Sequence, residues 1–467
     1  MPLKDGETAA PRNKEWTGEQ RAVIETTAPV TRVRARAGTG KTTVLRGYSA
    51  ARRQVPILYI VFNKANQKAA SATFPPWVRP VTSHALAFRV TGDRYRHKLG
   101  DPRAVHVARM FNIRNDTAAQ AIQVLTRFLC WPGQSVASCA RGRKQMDAAV
   151  YAERLWELML DPENRDVPMP HDGYLKLFDM ERHSVGRYEH ILFDEAQDAN
   201  PITISILQRQ ELPLVLVGDE YQSIYGFRGA ANALDMFTGA DLALTQSWRF
   251  GPEIAAAANA VLAEFGEQRC VTGRGGPSEV HAEGTPEGPY TFLSRTNAGV
   301  IEHAIERAGA PLHFVGGLES YRLERILDAF YLFMRQFHLV EDREFKAFQS
   351  FGSLADYAQE IDDTEIKAIV NLVAGYGATT ADRLNELRRR SVEAQRAEVT
   401  LTTMHRAKGL EWDVVVLGET FSYADYLEER PEARITKYRE DLNLLYVSAT
   451  RARRRLFLNS TLYNFMK

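Results

Sequence analysis

The stretch that decides the fold is Ala35-Arg36-Ala37-Gly38-Thr39-Gly40-Lys41-Thr42-Thr43. A β-type run, residues 30–36, leads into it, and a helical pattern, residues 42–53, leads out. In a strand–turn–helix setting, glycines let backbone amides turn inward around a phosphate chain. The N-terminus of the following helix adds positive dipole density at the same place. Residues Ala37 to Thr43 are therefore the candidate cradle for a nucleotide. Lys41 is expected to reach the β- and γ-phosphates of ATP, and Thr42 to ligate Mg²⁺. The loop opens on Ala35 where the strict pattern has Gly.

Outward from this loop, short apolar runs at residues 57–62, 191–193, 214–217, 291–293 and 414–417 alternate with helical patterns. Such alternation predicts parallel α/β sheets covered by helices. Residues 91–185 and 318–397 break the rhythm and read as helical insertions, with helices expected over 117–129, 146–160, 321–337 and 380–390. Residues 273–289, rich in Gly, Pro and Glu, read as a surface loop.

A second motif, Ile191-Leu-Phe-Asp194-Glu195-Ala-Gln-Asp198, is an apolar strand ending in carboxylates. Asp194 suits a Mg²⁺ contact and Glu195 a general base for an attacking water. Side-chain alternation along an extended chain predicts that the two face different ways. A third run, Leu214-Val-Leu-Val217-Gly218-Asp219-Glu-Tyr-Gln222, delivers a neutral amide, Gln222, that can touch both γ-phosphate and water.

Taken together, Asp194-Glu195-Ala-Gln-Asp198 and Gly218-Asp219-Glu-Tyr-Gln222-Ser-Ile-Tyr225-Gly-Phe227-Arg228-Gly-Ala resemble superfamily 1 helicases of the UvrD/Rep/PcrA type. Further blocks follow in that family's order. Trp16-Thr-Gly-Glu-Gln20 resembles the Q-motif, Phe62-Asn63-Lys64 motif Ia, and Val81-Thr82-Ser83-His84 motif Ib. Trp248-Arg249-Phe250, Ser294-Arg295-Thr296-Asn297, Thr403-Met-His405 through Glu411, and Thr450-Arg451-Ala452 resemble the later motifs.

The resemblance implies two RecA-like P-loop domains with parallel sheets, each carrying a mainly helical insertion, and ATP in the cleft between them. The expected boundaries are 1–90 with 186–240 for the first domain and 241–317 with 398–467 for the second. Their insertions are expected at 91–185 and 318–397. Catalytic roles fall by resemblance on Lys41, Glu195, Gln222, Arg249 and Arg451. Gln20 would read the adenine edge, Trp248 stack on adenine, and Glu411 contact the ribose. A single-strand track needs stacking faces and phosphate donors. By resemblance it holds Phe62, Asn63, Thr82, His84, Tyr225, Phe227, Arg228, Arg295, Thr403 and His405. The implied activity is ATP-driven movement along single-stranded DNA, 3′ to 5′, with separation of tailed duplex. An RNA helicase of the same superfamily and a non-catalytic ATP-gated clamp are the alternatives.

Two departures stand out. Arg36 occupies a loop position where the family usually has Gly, so its side chain either turns away from the phosphates or contacts nucleotide or DNA. The second insertion is also short for the family, which bears on duplex engagement rather than on ATP chemistry.

Composition narrows the alternatives. The 467 residues carry 59 basic and 58 acidic side chains, which does not suggest a protein that coats nucleic acid by bulk charge and leaves a local groove as the route for binding it. Arg141-Gly-Arg143-Lys144, between two helical stretches, is the candidate basic loop for duplex. Three cysteines outside any CxxC pair make neither a disulfide framework nor a zinc site. No apolar run is long enough to span a bilayer, and residues 1–14 are polar. The expected setting is cytoplasmic, nucleoid-associated in a prokaryote, without a membrane partner.

Overall fold

The computed structural model describes residues 16–133, 135–226, 229–282, 284–360 and 363–467. The chain divides into two compact units. One takes the chain up to Arg36 together with Gly40–Leu244, and the other takes Ala37–Thr39 with Thr245–Lys467.

The first unit is built on β1 (Val30–Ala35), β2 (Ile57–Ile60), β3 (Val78–Val81), β4 (His190–Phe193), β5 (Leu214–Gly218) and β6 (Ala240–Leu244). Their order in the sheet is β3-β2-β4-β5-β1-β6, and every pairing is parallel. Strands β2 and β5 are buried along their whole length, as expected of a parallel sheet covered on both faces. β1 instead alternates, burying Thr31, Val33 and Ala35 while Arg32 and Arg34 stay partly exposed. Parallel neighbours require crossovers. The first is the helix Lys41–Ala51, and the longest, between β3 and β4, contains the helices Ala104–Phe111, Asn115–Cys130, Gly142–Leu160 and His171–Met180.

These insertion helices share one apolar core with the sheet: Phe128, Trp156 and Phe178 cluster with Leu58, Ile191 and Phe193. Two lysines close helix ends whose last carbonyls have no intrahelical donor. Lys98 donates to the carbonyls of Leu158 and Asp161 at 3.2 and 2.9 Å. Lys176, fully buried, donates to those of Trp131 and Gly133, and burial pulls its ammonium down to about 8.

The second unit opens with a short pair, β7 (Gln246–Ser247) and β8 (Thr272–Gly273). Its main sheet contains β9 (Glu279–His281), β10 (Tyr290–Ser294), β11 (Leu312–Phe314), β12 (Val399–Thr403), β13 (Trp412–Leu417) and β14 (Ala452–Phe457). The order is β11-β12-β10-β13-β14-β9, again wholly parallel. Helices Leu323–Phe333, Phe351–Glu360, Thr364–Tyr376 and Thr380–Arg390 lie between β11 and β12. They pack Ile326, Ile369 and Leu384 into the core of Phe292 and Leu401. The Glu365 carboxylate accepts from the amides of Asn297 and Ala298, capping the N-terminus of the helix Asn297–Glu306.

The α/β class with parallel sheets agrees with the sequence reading, but three local expectations do not hold. Residues 273–289 are not wholly loop: Glu279–His281 pairs with the edge of β14, because backbone pairing is open to a polar stretch at a sheet edge. The helix expected over 321–337 is shorter, Leu323–Phe333, and begins after Arg322 adopts a left-handed conformation. The basic cluster is not a loop. Gly142, Arg143 and Lys144 form the first turn of Gly142–Leu160, where the Gln145 side chain accepts from the Arg141 amide at 2.9 Å.

Candidate functional site

In a parallel sheet, ligands gather beyond the carboxyl ends of the strands. The first unit follows this rule throughout. The phosphate loop follows β1, Phe62 and Asn63 follow β2, Thr82 and His84 follow β3, Asp194 and Glu195 follow β4, and Asp219 to Gln222 follow β5.

The loop turns through Gly38 and Gly40, at φ +74° and +83°, a region that strains any residue with a Cβ. Gly40 sits immediately before the helix Lys41–Ala51, and Gln20 lies beside it. Gln20 is itself fixed in a reciprocal cap with Thr17: its amide N–H donates to the Thr17 hydroxyl and its side chain accepts from the Thr17 N–H.

Asp194 is buried, and burial followed by the neighbouring Glu195 pushes its carboxyl up to about 6. Three groups favour its charge: the Tyr59 hydroxyl, which donates at 2.7 Å, the Lys41 ammonium, and the Glu195 amide at 2.9 Å. The Thr42 side chain engages the same Tyr59 hydroxyl. Folding thus brings Asp194 to Lys41 and Thr42, distant in sequence, and Tyr59 links it to Thr42.

Asp194 and Glu195 diverge, though not by strand alternation. β4 has ended at Phe193, and Glu195 adopts a left-handed conformation, φ +52°. The Glu195 carboxylate accepts from Gln197 Nε2 at 2.5 Å. Gln197 Oε1 in turn accepts from the Asp219 amide at 3.1 Å, and Asp219 Oδ2 accepts from Gln222 Nε2 at 2.7 Å. Gly218 makes this approach possible, since a Cβ there would lie 2.6 Å from Gln197 Oε1. The candidate base and the candidate γ-phosphate contact therefore belong to one hydrogen-bonded chain. Tyr59 and Gln197 were not singled out from sequence. Their signals were a lone hydroxyl in an apolar strand and the amide inside Asp194-Glu-Ala-Gln-Asp198.

At the β2–β3 end of the edge, Phe62 is 47% exposed and stacks on Tyr225, with ring centroids 6.0 Å apart and planes 13° off parallel. Asn63 and Thr82 each cap a helix, accepting from the Asn66 amide at 2.9 Å and the Ala85 amide at 3.1 Å. His84 pairs with Asp172 of the insertion at 2.9 Å. Phe227 and Arg228 lie outside the described residues.

In the second unit the candidates form two groups at opposite edges of the sheet. Arg249 binds Glu411 at 2.7 Å and the Thr450 carbonyl at 3.0 Å, next to the amino ends of β13 and β14. Arg451 is buried and donates to the carbonyls of Val447 and Leu410, so it is no surface member of the basic run 451–455. Trp248 is 45% exposed. At the carboxyl edge, Arg295 pairs with Asp441 at 2.8 Å, and His405 with Glu440 at 3.3 Å. The His405 bond, with Arg295 nearby, holds Glu440 below the usual carboxylate range. Thr403 is buried, and its hydroxyl accepts from the Arg406 amide.

A glycine-turned loop between strand and helix, with carboxylates at the tip of a neighbouring strand, defines a P-loop protein of RecA-like architecture. Comparison with known proteins is more specific. A UvrD/REP helicase N-terminal domain matches residues 173–236, and a UvrD-like helicase C-terminal domain matches residues 341–463. The chain is 30% identical to F-box DNA helicase 1 of Gallus gallus, over 94% of this chain and 48% of that protein. It is 28% identical to F-box DNA helicase protein 1 of Schizosaccharomyces pombe, over 97% of this chain and 58% of that one. With ATP-dependent DNA helicase UvrD2 of Mycobacterium tuberculosis the identity is 27%, over 58% and 47%. The chain belongs to the UvrD/Rep-type superfamily 1 helicases. It spans about half the length of the curated relatives it matches. Among the described residues no helix is long and apolar enough to cross a membrane.

Proposed function

We propose that this chain is an ATP-hydrolysing DNA translocase and helicase that moves 3′ to 5′ along single-stranded DNA and opens tailed duplex. One observation carries the reading. A single sheet edge holds the phosphate loop, the Asp194 and Glu195 carboxylates, Gln222 and the stacked pair Phe62–Tyr225. Nucleotide chemistry and an aromatic platform for bases thus share one rigid frame.

Lys41 and the amides of the loop hold the phosphates. Glu195 orients the attacking water and takes its proton, with Gln197 fixing the carboxylate. Gln222 contacts the γ-phosphate, while Arg249 and Arg451 are the cations that meet charge developing on the transferred group. Thr42 and Asp194 fit a hard divalent cation. Both offer oxygen, and Asp194 is buried beside the Glu195 carboxylate, where a cation would offset two neighbouring negative charges. Mg²⁺ bound there would neutralise phosphate oxygens. Trp248 stacks on adenine, Gln20 reads its edge, and Glu411 holds the ribose. Bases stack on Phe62 and Tyr225, and Asn63, Thr82, His84, Arg295, Thr403 and His405 lie along the strand.

The test is ATPase activity with single-stranded DNA, with RNA and without polymer, followed by unwinding of 3′- and 5′-tailed duplexes. Stimulation by DNA and opening of the 3′-tailed substrate are expected. Equal or greater stimulation by RNA would replace the substrate assignment, and nucleotide binding without turnover would make the chain a clamp.

A further inference from the structure

The side chain of Arg36, in the phosphate loop, turns away from the phosphates and into the first unit, where it is 1% exposed. Its backbone still behaves as strand, donating to the Leu244 carbonyl at 2.9 Å. Alternation therefore sends Arg32, Arg34 and Arg36 to one face. That face meets the segment after β5. Arg34 binds Glu220 at 2.5 Å and Asp235 at 2.8 Å. Arg36 Nη1 lies 3.9 Å from Asp219 Oδ1 and 3.8 Å from Glu220 Oε1, with its guanidinium 4.8 Å from the centre of the Tyr221 ring. Asp219 is completely buried, and its other carboxylate oxygen receives the Gln222 amide at 2.7 Å.

We propose that Arg36 is a positioning residue for Gln222: its guanidinium, beside the Asp219 and Glu220 carboxylates, keeps Asp219 in place, and Asp219 aims the Gln222 amide at the γ-phosphate position. The physical need is plain. A buried carboxylate stays ionised and oriented only with a compensating cation and full hydrogen bonding. Arg36 supplies the cation from the nucleotide loop itself, so the loop and the γ-phosphate contact keep a fixed relation. Nucleoside diphosphate, which lacks the group Gln222 would touch, gains nothing from this link. Arg36 therefore sets the preference for triphosphate over diphosphate rather than nucleotide affinity as such. This inference rests on the proposed role of Gln222.

The test compares dissociation constants for ADP and for a non-hydrolysable ATP analogue, both with Mg²⁺, in wild type, Arg36→Gln, Arg36→Lys and Gln222→Ala. Arg36→Gln should leave ADP affinity within about twofold. It should cut the triphosphate preference about fivefold, the size of one lost hydrogen bond. Combining it with Gln222→Ala should cut the preference no further, and Arg36→Lys should restore part of it. A merely structural arginine would instead weaken both ligands together, or neither, and either result overturns the proposal. If Arg36→Gln does not fold, Arg36→Gln with Asp219→Asn removes the opposing buried charges as well, and a wild-type preference there overturns it too. If Gln222→Ala itself keeps the wild-type preference, the γ-phosphate role of Gln222 fails and takes this inference with it.

Discussion

The Tyr59 hydroxyl donates a 2.7 Å hydrogen bond to the Asp194 carboxylate while also engaging the Thr42 side chain. One phenol thus orients both oxygens assigned to the cation. Tyr59→Phe removes that hydroxyl and leaves the ring in its packing against Phe74. Mn²⁺ binding to the ADP complex, followed by the metal's paramagnetic signal, should weaken about tenfold, the scale of a hydrogen bond to a charged group. Affinity for metal-free ADP should stay close to wild type. Unchanged Mn²⁺ binding would remove Tyr59 from the site.

Glu195→Gln keeps size and polarity and removes the base. Turnover should fall by about 10² or more, the usual scale of lost general-base catalysis. Binding of the ATP analogue and of single-stranded DNA should persist. Steady-state ATPase and fluorescence anisotropy decide it, and near-normal turnover would sink the assignment.

Arg295 is held by Asp441 at 2.8 Å, with Glu440 at 3.9 Å. A DNA phosphate must therefore compete with carboxylates for it. Asp441→Asn should tighten single-strand binding, whereas Arg295→Ala should weaken it and lower the slope of log K against log[salt] by ~0.7. Phe62→Ala should cost ~1–3 kcal/mol in binding with little change of slope. Identical slopes for Arg295→Ala and wild type would exclude the phosphate contact.

The second unit should lose stability in acid. His303 stacks on Phe292 at 3.7 Å, shares a 3.0 Å hydrogen bond with Tyr290, and has Glu306 at 4.0 Å. Burial first, then Arg307, pushes its imidazole down to about 4. The unfolded chain binds this proton near pH 6.5 and the folded one only near 4. Stability is therefore full above about 6.5 and falls as pH drops through that window, by roughly 3 kcal/mol at most. Thermal melts of wild type and His303→Gln from pH 7 to 4 should converge as the pH falls. Parallel curves would show that His303 does not titrate in this range.

Arg141, Arg143 and Lys144 are exposed at the start of the helix Gly142–Leu160, where the helix dipole disfavours cations. Neutralising all three should then leave the fold intact or slightly stabilised. Unwinding of a 3′-tailed duplex should fall more than ATPase stimulated by single strands. A parallel fall in both, or no fall in either, would contradict a role in duplex engagement.

Strand tips and the glycine-turned loop were legible because each rests on local pattern: an apolar run, a turn signal, a carboxylate. Tyr59 and Gln197 were not, because their partners come from other strands and only sheet order brings them together. Arg36 shows the same limit from the other side. Its place in the loop left its direction open, and the strand alternation carried through Leu244 turned it inward. Edge strand β9 was hidden by a composition that also suits a loop. The left-handed Glu195 replaced the extended geometry expected of it, because β4 stops two residues earlier.

The position of β1 has a consequence for biosynthesis. Its two hydrogen-bonded neighbours are β5 and β6, and the second of these ends at Leu244, about halfway along the chain. A ribosome delivers the phosphate loop before the strands that frame it, which emerge only after the whole first insertion. Nascent chains shorter than this hold an unsupported glycine turn. A product ending before β5 is therefore expected to bind nucleotide weakly, since β1 then lacks both of its sheet neighbours.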